Sequence, residues 1–258
     1  LFGRRDVRWE GREKFGYLQH THGEMLSIED LYKKAWGPTG VTRLEGAAAT
    51  ESRFIAEAPR HVHLHLATHG YFAPAELQQS LERRQPAEML ELTARGGPQF
   101  DAAGMSPGLL SGIALAGANL EPDDEHGDGI LSAEEVATLD LSRCQVCVLS
   151  CCQTGLGQAV TGEGLLGLQR AFQVAGARTT IATLWKVDDN AARALMEQFY
   201  TNLWQQEMST LEALRAAQLW MLQKGTKRGL VKIEDPDAAR RRAPPQYWAA
   251  FVLAGDWR

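Results

Sequence analysis

Five short stretches of this chain read as apolar strands, most of them too continuous in apolar character to face water on one side: residues 61–67, 111–117, 145–151, 178–184 and 249–253. A strand with one wet face alternates apolar and polar side chains, whereas a run such as Val146-Cys147-Val148-Leu149 does not, so both its faces have to be covered. Between several of these runs lie helical patterns with readable ends. From Glu163 onward Leu165, Leu166, Leu168, Phe172 and Ala175 keep helical spacing, and Gly176 suits a left-handed stop. Residues 189–205 carry Leu195, Met196, Phe199, Leu203 and Trp204 as an inward stripe, with Asp188 or Asp189 as the N-cap. Ser209 and Glu212 form a capping box that opens a third helix running through Leu219 and Leu222. Strand and helix alternate, which predicts an α/β fold: a mostly parallel sheet with helices on both faces.

Two stretches stand apart from that scaffold. Residues 73–108, with Glu82-Arg83-Arg84 and a Gly96-Gly97-Pro98 break, read as a long surface excursion; residues 224–246, with Arg240-Arg241-Arg242, read as a second exposed connection. A net charge of −5 and 44% hydrophobic content exclude a strongly nucleic-acid-seeking or disordered chain. No apolar run approaches the ~20 residues of a membrane-spanning helix. The chain opens on Leu1-Phe2-Gly3-Arg4, with neither an initiator methionine nor an apolar leader, so we expect no signal peptide and a piece of a longer protein. All the cysteines fall between 144 and 152, which cannot staple a fold and fits a reducing compartment, with cytoplasm as the default.

Two of the runs end on reactive side chains. One leads to His69-Gly70 and the other to Cys151-Cys152. A thiol is a poor nucleophile until it loses its proton, and an imidazole can take that proton and later pass it to a leaving amine. Residues just past the carboxyl ends of parallel strands share one crevice, however far apart in sequence. The first expectation is therefore a cysteine peptidase. Cys151 and Cys152 are strand neighbours pointing to opposite sides; the outer one, Cys152, reaches the crevice better, and Cys151 reads as packing.

Three other patterns are weighed against function. His61, His63 and His65 alternate along one strand face, but no further ligand cluster completes a metal site. Cys144 and Cys147 have zinc-like spacing without a second pair, and strand periodicity sends them to opposite faces, so they read as core. Residues 124–135 resemble a calcium loop in Asp124, Asp128, Gly129 and Glu135, yet His126 is a poor ligand and no helix precedes it; a turn followed by a helix capped at Ser132 is the simpler reading. We therefore expect no metal and no cofactor.

Several segments together carry a resemblance over roughly residues 25 to 257. Gly129-Ile-Leu-Ser-Ala-Glu-Glu-Val136, Val148-Leu-Ser-Cys-Cys-Gln-Thr-Gly-Leu-Gly157, Gly162-Glu-Gly-Leu165, Ala171-Phe172, Ala175-Gly-Ala177, Leu184-Trp-Lys-Val-Asp-Asp189 and Trp248-Ala-Ala-Phe-Val-Leu-Ala-Gly-Asp-Trp257 resemble, in the same order, the CHAT peptidase family of bacterial relatives of caspases and separases. The resemblance implies a caspase-hemoglobinase-like α/β/α sandwich, with residues 1–24 as an N-terminal remnant or linker and 25–258 as the peptidase domain. It implies a Cys-His dyad of Cys152 and His69, although the family has alanine where this chain has Cys151. The backbone amides of Gly70 and Cys152 are the implied oxyanion donors, and glycine at 70 lets substrate approach closely.

By similarity to separase, Asp189 is the implied acidic residue of a pocket for Arg or Lys; Asp188 is its rival, and helix capping accounts for at least one of the two. The implied partners are a protein substrate and an activating partner or attached tetratricopeptide-repeat region, with neither direct nucleic-acid nor membrane binding; bacterial defence is one setting of such proteins. Arg83-Arg84 and Arg240-Arg241-Arg242 suit self-processing by a basic pocket. The alternative is a non-catalytic interaction or regulatory module, because a fold by itself never establishes function.

Overall fold

The computed structural model describes residues 15–16, 18, 21–72, 111–120, 127–153, 162–185, 187–226, 229–230 and 242–257. In chain order these contain α1 (Thr21–Trp36), α2 (Glu51–Glu57), β1 (His63–Leu66), β2 (His69–Phe72), β3 (Ser111–Ala114), β4 (Ile130–Ser132) and α3 (Ala133–Ala137). There follow β5 (Val146–Leu149), β6 (Cys152–Gln153), α4 (Gly162–Val174), β7 (Thr179–Thr183), α5 (Asp189–Trp204), α6 (Thr210–Lys224) and β8 (Phe251–Gly255).

The first sheet has the order β1-β5-β7-β8, with β1, β5 and β7 parallel and β8 antiparallel at the edge. Its apolar runs are continuous because each face of the sheet feeds a different core. Val146 and Val148 of β5 join Ile28 of α1, Leu195 and Phe199 of α5, and Leu214 and Met221 of α6. The intervening Cys147 and Leu149 join Phe54 of α2, Val136 of α3, and Leu168 and Phe172 of α4. This is the expected α/β/α sandwich with a mostly parallel central sheet, its helices on both faces.

A second sheet, ordered β4-β3-β2-β6, was not expected. The run at 111–117, read as part of the covered sheet, supplies β3 here, antiparallel to both β2 and β4. Its residues are all buried, and an apolar run does not record which sheet buries it. The second sheet is an extension of the first: β1 breaks at Ala67-Thr68 and continues as β2, and β5 breaks at Ser150-Cys151 and continues as β6.

The helix ends follow local chemistry. Asp188 caps α5, its Oδ1 accepting from the amides of Asn190 and Ala191 at 3.1 and 3.2 Å. Ser132 with Glu135 and Ser209 with Glu212 form capping boxes at α3 and α6. Gly176 has φ +108°, and a Cβ there would stand 2.8 Å from the Ser142 amide. Leu166, counted in the apolar stripe of α4, is instead 59% exposed.

The boundary expected between residues 24 and 25 falls inside α1. Glu24 is buried and accepts a hydrogen bond from His65 Nε2 at 3.1 Å, while His65 Nδ1 lies 3.1 Å from the Tyr200 hydroxyl, so this buried chain ties α1 to β1 and α5. The excursion at 73–108 lies outside the described residues. So does most of the basic stretch in 224–246; its described end is anchored, since Ala243 is buried and its amide donates to Leu222 O at 3.0 Å.

Candidate active site

His69 and Cys152 open β2 and β6, and the two strands pair in parallel with His69 opposite Cys152 and Gly70 opposite Gln153. The offset in residue number that pairs Leu66 with Leu149 in the first sheet also pairs His69 with Cys152 in the second, so register survives both strand breaks. Paired strands run about 4.8 Å apart. Two residues remote in sequence are thereby held side by side. The expectation placed them beyond the strand ends; the structure instead makes them the first residues of continuing strands. Polar groups at the breaks are served by side chains: Thr68 Oγ1 donates to Ala114 O at 2.6 Å, and Thr183 Oγ1 to Cys151 O at 2.8 Å.

The His69 ring is buried and oriented. Its Nε2 lies 2.7 Å from Gly16 O, and Phe15 packs on the imidazole with ring centroids 5.5 Å apart. A carbonyl can only accept, so Nε2 donates; in the neutral ring this puts the proton on Nε2 and leaves the lone pair on Nδ1. That Nδ1 is buried and has no hydrogen-bond partner among the described residues. A buried acceptor left open calls for an explanation.

Gly70 lies between two paired strands, and ladder alternation decides which way its amide faces. Leu115 N donates to Gly129 O at 2.7 Å, which makes that a bonded pair and, two residues on, Ile113 with Leu131 as well. Ile113 is thus turned to β4, and β3 meets β2 through Gly112 and Ala114. Gly70, opposite Ile113, directs its N–H toward β6, the cysteine strand.

The remaining cysteines are core residues. Cys151 is buried among the residues of α4 and β1, with Sγ 3.8 Å from Leu66 O. Burial pushes the Cys144 thiol up to about 12 and the Cys147 thiol well above its ordinary value. Cys144 and Cys147 were expected on opposite faces but share one apolar cluster. Cys144 precedes β5, in the turn where its amide donates to Leu141 O at 2.8 Å, so strand alternation does not govern it.

The histidines of β1 are similarly committed. His63 lies between Trp36 and Trp204, and His65 bridges Glu24 and Tyr200. Of the calcium-like segment, 124–126 lie outside the described residues; Asp128 Oδ1 accepts from the Ile130 amide at 2.8 Å, and Glu135 serves the Ser132 cap.

Asp189 opens α5, beyond the carboxyl end of β7, at the same end of the parallel strands as His69 and Cys152. Asp188 is spent on the helix cap. A cavity of about 820 Å³ runs along the outer edge of β1 to His69, lined by Met25, Tyr32, Trp204 and Phe15 among others; neither Asp188 nor Asp189 lines it. Phe15 and Gly16 escaped the sequence reading, because a backbone carbonyl that orients a histidine leaves no signature in residue type.

Residues 12–256 match the family model described as the CHAT domain. A stretch of 126 residues, 49% of the chain, is 31% identical to tetratricopeptide repeat protein 28 of Mus musculus, and the match covers only 4% of that protein's length. With nearly its whole length matched by the family model, the chain belongs to the CHAT domain family.

Proposed function

We propose that this chain is a cysteine endopeptidase domain acting on protein substrates, with Cys152 as nucleophile and His69 as acid-base group. The observation that carries the reading is the pairing of His69 with Cys152 across β2 and β6, beside a histidine whose open nitrogen is Nδ1. In the reaction the Cys152 thiol passes its proton to Nδ1 and the sulfur attacks the scissile carbonyl carbon. The C–N bond then breaks as the imidazolium returns the proton to the departing amine, leaving a thioester. Water adds to the thioester, giving a proton to His69, and the acid leaves with the thiol restored. The amides of Gly70 and Cys152 are the proposed oxyanion donors; each faces the other's strand in the β2–β6 ladder, so that pairing has to open at the site before either amide receives the oxyanion. Removing one such donor costs about 10²-fold or more in rate.

Asp189 is the proposed determinant for an Arg or Lys side chain before the cleaved bond. The capping role of Asp188 supports this choice, since a carboxylate bound to two amides is poorly placed to receive a guanidinium as well. Regulation by a tetratricopeptide-repeat region, attached or separate, is supported by the similarity to a tetratricopeptide repeat protein.

Cleavage of an unfolded protein substrate tests the assignment. Cys152→Ala is expected to abolish cleavage with the thermal midpoint unchanged, and Cys151→Ala to retain cleavage at some loss of stability. Activity in Cys152→Ala together with inactivity in Cys151→Ala reverses the assignment. Absence of cleavage by the wild-type chain, with and without a repeat-bearing partner, favours the non-catalytic module.

A further inference from the structure

We propose that Asn119 is a positioning residue for His69, acting through the backbone of Phe15 and Gly16; the inference rests on the reading of His69 as the acid-base group. The Phe15 N–H donates to Asn119 Oδ1 at 2.8 Å, and Asn119 Nδ2 donates to Phe15 O at 2.8 Å. One primary amide thus satisfies both polar backbone groups of a single residue, which fixes that residue's place and its rotation. The next residue, Gly16, supplies the carbonyl that takes the Nε2 proton, and the Phe15 ring rests on the imidazole at an interplanar angle of 34°. A side chain in the connection between β3 and β4 therefore holds the peptide that holds the histidine.

Residues 115–120, which carry Asn119, are held by the backbone of their own turn. Ala118 N donates to Leu115 O at 3.1 Å, and Leu120 N donates to Gly117 O at 2.8 Å. Gly117, at φ +98°, makes the turn, and Gly129 backs it so closely that a Cβ there would stand 2.1 Å from Ala118 N. Asparagine is the side chain that fits. Aspartate accepts from the Phe15 amide but sets a carboxylate against the Phe15 carbonyl, and alanine makes neither bond. When the clamp is lost, Gly16 O is no longer held to Nε2, the ring gains freedom, and the tautomer with its proton on Nδ1 becomes populated. That tautomer cannot accept a proton from the thiol at Nδ1.

The test uses the 258-residue chain with ¹⁵N-labelled histidine, in the wild type, Asn119→Ala and Asn119→Asp, with His69→Ala to assign the His69 signals. Ring ¹⁵N shifts report the tautomer; the iodoacetamide alkylation rate of Cys152, read by mass spectrometry across neutral pH, reports thiol activation. The wild type is expected to show Nε2 protonated and Nδ1 bare. Both Asn119 variants are expected to show tautomer-averaged shifts and alkylation slowed by about tenfold, in line with the sensitivity of such steps to small displacements. Their thermal midpoints should stay close to the wild type. Wild-type ring shifts in both variants overturn the role of Asn119. If His69→Ala alkylates as fast as the wild type, it is the dyad reading that fails, and the ring shifts still decide on Asn119.

Discussion

His63 shows how strongly one residue's surroundings set its chemistry. It stacks on Trp36 with centroids 5.7 Å apart and meets Trp204 edge-on at 5.5 Å, and burial pushes its pKa from 6.5 down to about 4. The folded state therefore resists a proton that the unfolded chain accepts. Stability falls as pH drops from 6.5 toward 4 and levels off below that window, a loss of up to about 3 kcal/mol from this residue. His63→Phe keeps the ring stack and removes the titration. Urea melts of the variant should show a visibly flatter stability between pH 6.5 and 4; an unchanged acid slope contradicts the assignment. The same desolvation keeps Cys144 and Cys147 protonated at neutral pH, so they are inert thiols.

At the scale of elements, what was legible was what is local. The capping boxes at Ser132 and Ser209 and the stop at Gly176 are short-range patterns, and each stands where its residues indicate. Ser209→Ala should cost about 1 kcal/mol by removing one amide's partner at the start of α6, measurable as a lower denaturation midpoint. A midpoint equal to the wild type's would deny the cap its role. Helix α1 was not legible, because its buried face opens with Glu24, ahead of Ile28, where a stripe wants an apolar residue. The partner that makes Glu24 tolerable is His65, on another element. Strand β6 is two residues long and carries no periodicity, so only the finished sheet reveals that Cys152 lies in a ladder. The carbonyl of Gly16 and the side chain of Asn119 are further cases in which a role comes entirely from assembly.

For the molecule as a whole, the two cores on either face of the first sheet keep β1 and β5 in register, and that register carries on past the breaks to pair His69 with Cys152. The candidate site is thus a consequence of sheet packing more than of loop shape. Its pocket chemistry is a separate matter, resting on Asp189 at the start of α5. Both can be read in one experiment with an irreversible thiol-directed peptide bearing either Arg or Asp, located after digestion by mass spectrometry. The expected result is label on Cys152, faster with Arg than with Asp, slowed to the Asp rate in Asp189→Ala and lost in His69→Ala. Label on Cys151, or undiminished labelling of Cys152 in His69→Ala, would contradict the dyad.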